Sequence, residues 1–142
     1  MKLQCNSQSR IIPLKQLGDE RGLLTVLEEN ITIPFEIKRV YYIYGTEEGV
    51  SRGMHAHYKT RQVLIAVSGS CTILLDDLSR KTEVILDDPN KALLLEPNDW
   101  HEMYNFSPDC VLLVLASHFY DSEDYIRDYD SFVSIYREGL GL

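Results

Sequence analysis

The chain has only three cysteines, Cys5, Cys71 and Cys110, and no two of them form a Cys-x-x-Cys pair. Such an odd and scattered set suggests neither a disulfide framework nor a zinc knuckle. Cys71 and Cys110 lie in apolar runs and are expected to behave as small core hydrophobes. No stretch approaches the ~18 consecutive apolar residues that span a bilayer. The opening residues lack the apolar segment of a secretory signal, so a cytoplasmic protein without membrane attachment is expected. Positive charge is scarce: 14 Lys and Arg stand against 22 Asp and Glu, for a net charge of −8. Nucleic-acid binding needs a basic surface and is therefore not expected. A small anionic ligand is still allowed, because a few arginines in one cleft can outweigh a distant acidic surface.

Helical periodicity is also scarce, and β-type patterning dominates. Short apolar or alternating runs at 10–15, 23–28, 37–44, 51–58, 62–67, 70–76, 82–86, 92–96, 101–106 and 110–117 are separated by Gly-, Pro-, Asn- and Asp-rich turns. Many short strands at this spacing predict an all-β sandwich or barrel. The length suits one domain, 1–142, with a single core. The runs 63–67 and 111–115 are apolar on both faces, so some outer surface must be covered. The one helix candidate is the tail, with Asp121 or Ser122 as its cap. A short helix covers little, so a second copy of the chain is expected to supply the cover.

The chemistry-bearing stretch runs from Gly49 to Gly69 and contains Arg52, His55, His57 and Gln62. Residues two apart on a strand share a face, so His55 and His57 point the same way. His101 follows on a later strand. This spacing resembles the first motif of the cupins, with Gln62 where a Glu usually stands. Pro97, His101 and Asn105 resemble the second motif more loosely. An amide gives a divalent cation far less charge than a carboxylate does. No metal is therefore expected, although the three histidines could still take zinc. Without a metal they are free for proton transfer. The plainer alternative is a half-exposed polar strand face. Arg39, set in an apolar and aromatic strand, needs a partner. Glu28 is one possibility and a ligand phosphate the other.

Longer segments narrow the resemblance. Asp19-Glu20-Arg21-Gly22, Ile37-Lys38-Arg39-Val40-Tyr41-Tyr42, Arg52-Gly53-Met54-His55-Ala56-His57, Trp100-His101-Glu102-Met103 and Asp124-Tyr125-Ile126-Arg127 occur in this order. Together they resemble the dTDP-4-keto-6-deoxyglucose 3,4-ketoisomerases across roughly residues 10–135. The resemblance implies a cupin (jelly-roll-like) β-barrel with a short C-terminal helical tail. It implies a homodimer with exchanged N-terminal strands and no cofactor. The substrate would be a dTDP-linked 4-keto-6-deoxyhexose, whose keto group moves from C4 to C3. The product would serve 3-amino-3,6-dideoxyhexose synthesis for glycans such as lipopolysaccharide O-antigen. By the same resemblance His57 is the base, His55 its acid or relay partner, and Tyr42 or Tyr44 a hydrogen-bond donor to the oxyanion. Arg39 and Arg52 would hold the diphosphate, with Gln62 as a polar contact. Arg21 and His101 resemble the pair that marks galacto-type members, which implies dTDP-3-keto-6-deoxygalactose as product.

Three competing functions are weighed against this one by the same residues. A 3,5-epimerase would pair a His with an Asp, and no Asp stands beside the histidine pair in the sequence. A metal-dependent oxygenase and a non-catalytic sugar-binding cupin both leave the long matches unexplained.

Overall fold

A computed structural model of the chain describes residues 10–139; Cys5 lies outside them. The strands are β1 (Ile11–Pro13), β2 (Lys15–Asp19), β3 (Gly22–Val26), β4 (Arg39–Tyr44), β5 (Arg52–His57), β6 (Gln62–Ser68), β7 (Cys71–Asp76), β8 (Lys81–Leu86), β9 (Lys91–Leu95), β10 (Trp100–Tyr104), β11 (Val111–Ala116) and β12 (Tyr125–Ile126). A single α-helix, α1 (Tyr129–Gly139), closes the described chain. It is too short to cross a membrane, and no helix among the described residues is long and apolar enough to do so.

Two five-stranded antiparallel sheets face each other, ordered β1-β9-β6-β11-β4 and β12-β5-β10-β7-β8. Period-two alternation sends Leu64, Ala66, Leu112 and Val114 from one sheet against Ile73, Leu75, Leu86 and Met103 from the other. All are essentially inaccessible to solvent. Burial of this kind stabilises by ~25 cal/mol per Å2 of apolar area. Cys71 and Cys110 sit in this core as reduced, buried side chains.

Part of the doubly apolar surface is covered by the chain itself. Val63 and Ile65 face outward from β6, yet they are buried under Leu14, Ile33 and Phe35 of the same chain. For these two residues the cover is Leu14, between β1 and β2, and the irregular segment after β3. Arg61 fastens it, donating from Nη1 to the Pro34 carbonyl at 2.6 Å while its other nitrogens grip Glu96. Glu29 adds a second tie by accepting from the Ile37 amide at 2.7 Å.

The tail also differs from expectation. Asp121 caps only a short 3-10 turn, Ser122–Asp124, accepting from the Glu123 amide. The chain then extends as β12, pairing Tyr125 with His57 and Ile126 with Ala56. Helix α1 begins after that strand and lays Phe132, fully buried, against Trp100 and Ile126. The tail thus adds a strand beside the histidine-bearing β5 before it becomes helical.

Candidate active site

The site is built on β5, and a bulge shapes it. Strand β10 pairs His101 with His55 and then Glu102 with Gly53, so Met54 is left without a counterpart. Gly53 and Met54 both take positive φ, 79° and 61°. A side chain at Gly53 would be strained there, and its Cβ would come within 3.2 Å of the His101 carbonyl oxygen. Bulges re-aim the side chains that follow them. Here Arg52 and His55, three residues apart, line one cavity of about 310 Å3 together with Arg39, Tyr41, Met103 and Tyr125.

His55 and His57 do share a face, with ring centroids 5.0 Å apart. His101 joins them at 4.5 Å from His55 and 6.0 Å from His57. Each of the three offers a ring nitrogen within 4.8 Å of the others, a set able to hold a divalent cation. Gln62 adds only a neutral amide. Its Nε2 donates to the Tyr41 hydroxyl at 2.9 Å, and its Oε1 is buried without a partner. His55 Nδ1, His57 Nε2 and His101 Nε2 are likewise buried and unpartnered.

The histidines differ in access. His55 borders the cavity, whereas His57 is only 3% exposed. The His57 Nδ1 meets Asp124 Oδ2 at 3.0 Å. Burial first, then the neighbouring His57, pushes His55 down to about 4. Burial lowers His57 as well, against the opposing pull of Asp124. His101 is held well below the usual histidine range by complete burial and by the other two rings. All three are therefore neutral at pH 7.

These shifts fix the acid response of the fold. The unfolded chain takes up protons near pH ~6.5, while the folded chain resists until much lower pH. The histidine contribution is thus fully present above the unfolded value and is lost as pH falls through the folded ones. We expect the urea midpoint to drop between pH 6.5 and about 4. The slope from His55 should reach at most ~1.4 kcal/mol per pH unit. A His55→Gln variant should show a shallower drop.

The expected site residues separate into two groups. Arg39, Arg52, His55, His57, Gln62 and His101 converge on or behind the cavity. Tyr42 and Tyr44 do not. They point outward from β4, 60% and 69% exposed, while Arg39, Tyr41 and Ile43 take the inward face. The cavity tyrosine of β4 is Tyr41, and the parity of Arg39 alone could have shown it. Arg21 also lies elsewhere. It occupies the turn of the β2–β3 hairpin, its side chain 85% exposed and paired with Asp19.

Asp124, Tyr125 and Arg127 were missed as site residues. Tyr125 stands 4.9 Å from the His55 ring and 4.5 Å from the His57 ring. The Arg127 guanidinium lies 4.4 Å from the centre of the Tyr125 ring. Arg39 is flanked by Tyr41 and Tyr120 at 5.4 and 5.6 Å. Its Nε is buried without a hydrogen bond, and no described carboxylate, Glu28 included, forms an ion pair with it. An acidic protein thus sets two arginines, Arg39 and Arg52, into one cavity, with Arg127 against the Tyr125 ring of its wall.

A family model described as FdtA: WxcM-like, C-terminal, matches residues 7–137. The TDP-4-oxo-6-deoxy-alpha-D-glucose-3,4-oxoisomerase of Aneurinibacillus thermoaerophilus is 50% identical over 125 residues, covering 88% of this chain and 90% of that protein. The chain belongs to the FdtA family of 3,4-ketoisomerases.

Two solved ketoisomerase structures agree. One is a histidine-to-asparagine variant of QdtA from Thermoanaerobacterium thermosaccharolyticum in complex with TDP-4-keto-6-deoxyglucose. It is 43% identical with a TM-score of 0.88, over 90% of this chain and 93% of that one. The other is WlaRB, the TDP-quinovose 3,4-ketoisomerase of Campylobacter jejuni. It is 49% identical with a TM-score of 0.84, over 87% and 95% of the two chains. Like these ketoisomerases the protein is an isomerase, and its two facing sheets form the cupin barrel.

Proposed function

We propose that the protein converts dTDP-4-keto-6-deoxyglucose to its 3-keto isomer by moving a proton between C3 and C4. The observation that carries this is the His55–His57 pair, neutral and with unpaired ring nitrogens, beside a cavity lined by Arg39 and Arg52. The C3 proton is α to the C4 ketone, so a neutral imidazole can remove it and leave an enediolate. Protonation at C4 then creates the new C–H bond, while the proton of the C3 hydroxyl passes to the C4 oxygen, so that C3 becomes the ketone and C4 the alcohol. Electrons balance within the sugar.

His55 is the ring that borders the cavity, which supports it rather than His57 as the group meeting C3. His57 then acts as its proton partner from behind. Arg39 and Arg52 offer charge for the diphosphate, and Tyr41 replaces Tyr42 as the hydroxyl available to the oxyanion. A 3-keto-6-deoxy sugar is the kind of carbonyl an aminotransferase consumes, which fits synthesis of a 3-amino-3,6-dideoxyhexose from cytoplasmic nucleotide sugars.

The galacto product rests on Arg21 and His101. Overall similarity does not choose between products, since a 49% identical relative is named for TDP-quinovose. Incubation with dTDP-4-keto-6-deoxyglucose in D2O, followed by NMR, tests both parts. Deuterium at C4 with a 3-keto group is the expected result, and the C4 hydroxyl should be axial. No 3-keto product would refute the isomerisation, and an equatorial hydroxyl would refute the galacto assignment alone.

Arg21 and the histidines sit on different parts of one chain, so a shared role needs a second copy. Strand β2 is exposed along its whole length, and Leu23 and Leu24 of β3 are 74% and 56% exposed. Strand β4 is a sheet edge whose outer face shows Val40, Tyr42 and Tyr44, each more than half exposed. An unpaired edge and a free apolar hairpin invite strand addition. In the homodimer the hairpin of one copy lies along β4 of the other and carries Arg21 toward that copy's site. Sedimentation equilibrium should report twice the 16.4 kDa chain mass. A monomer at micromolar concentration would sink the shared-site reading.

A further inference from the structure

The absence of an aspartate next to the histidines in the sequence is undone by the fold. Asp124 lies 67 residues from His57, yet its carboxylate reaches the His57 ring. It is 4% exposed, and each oxygen is engaged. Oδ1 accepts from the Lys59 amide at 2.9 Å. Oδ2 accepts from the Thr60 hydroxyl and faces His57 Nδ1. Its own carbonyl accepts from the Tyr58 amide at 3.0 Å, so backbone bonds to residues 58 and 59 lock its position against the end of β5. Burial raises this carboxyl, but the Thr60, Lys59 and His57 hydrogen bonds prevail and hold it below the ordinary aspartate range.

A charged carboxylate can only accept, so the nitrogen facing it must carry a proton. That proton is on His57 Nδ1. The lone pair is therefore on Nε2, the atom buried without a partner and on the far side of the ring. We infer that Asp124 is a positioning residue for the isomerisation: it selects the Nδ1–H tautomer of His57, leaving Nε2 free to receive a proton. When Nε2 takes one, the carboxylate also supplies a counter-charge in hydrogen-bond contact with the ring. Asp124 touches no substrate in this role and acts wholly through His57. The inference rests on the ketoisomerase reading for its catalytic meaning, but not for the tautomer itself.

Asp124→Asn is a discriminating variant because the local bonds dictate how the amide must sit. The Lys59 amide is a donor that cannot reverse, so the amide oxygen takes the Oδ1 place. The NH2 group then faces His57 and donates to Nδ1, and the Thr60 hydroxyl can rotate to accept. The packing is kept while the His57 tautomer is inverted.

Nitrogen-15 NMR of the imidazoles in the full-length protein reads the tautomer directly. The wild type should show His57 protonated on Nδ1, and Asp124→Asn should show it protonated on Nε2. Turnover in the variant should fall by about 10^3-fold, within the range assigned to a positioned proton-transfer group and its orienting carboxylate. KM and dTDP affinity should stay within a few-fold. Wild-type His57 protonated on Nε2 would overturn the inference, with no variant needed. So would a folded Asp124→Asn protein that turns over at the wild-type rate. If the wild type shows the Nδ1–H tautomer but makes no 3-keto sugar, the ketoisomerase reading fails and the tautomer assignment stands.

Discussion

A His55→Asn protein should lose at least ~10^3-fold in turnover while binding dTDP within a few-fold of wild type. Asparagine keeps much of the ring's volume and polarity but cannot accept a proton at neutral pH. His55 is the histidine bordering the cavity, and its Nδ1 has no partner within the protein. With its titration pushed down to about 4, it is ready as a base throughout the neutral range. His57→Asn should also be slow, and the two variants are separated by isotope exchange. If His55 meets C3, His55→Asn loses wash-in of solvent deuterium at C3, whereas His57→Asn keeps some exchange without forming product. The opposite pattern would restore the roles implied by the family resemblance, with His57 as base.

Arg39→Met should weaken dTDP binding by about 10- to 100-fold, measured by calorimetry. This corresponds to ~1.5–3 kcal/mol for a charge-assisted hydrogen bond in a partly dry site. Arg39 is held between Tyr41 and Tyr120, and no described acid neutralises it. A cation kept this way in the unliganded protein costs stability. The melting temperature of Arg39→Met should therefore be unchanged or higher even as binding fails. Lower melting together with intact binding would make Arg39 a structural residue. Arg52, more exposed at the cavity rim, should show a smaller loss in the same measurement.

Local pattern carried a large part of the fold and the centre of the site. The period-two runs became the two sheets, because a strand buries one face and alternation reports which. The His-x-His spacing placed His55 and His57 together for the same reason, and Gln62 starts the neighbouring run with its amide beside Tyr41. The same rule, applied from Arg39, selects Tyr41 over Tyr42 and Tyr44, because residues 39, 41 and 43 share the inward face. The doubly apolar runs call for a cover, but nothing local tells that Val63 and Ile65 find theirs in Leu14, Ile33 and Phe35 of the same chain.

The sequence by itself determined a β-rich domain with two histidines on one strand face, and a family identity. Those features follow from residue type and spacing over a few positions. Only the tertiary structure decided which histidine borders the cavity, that the tail adds a strand bearing Tyr125, and that Asp124 meets His57. These depend on contacts between residues tens of positions apart, and on a bulge at Gly53 and Met54 that strict alternation does not contain. A strand's period reports which way a side chain points, whereas the group it meets there depends on how distant segments pack.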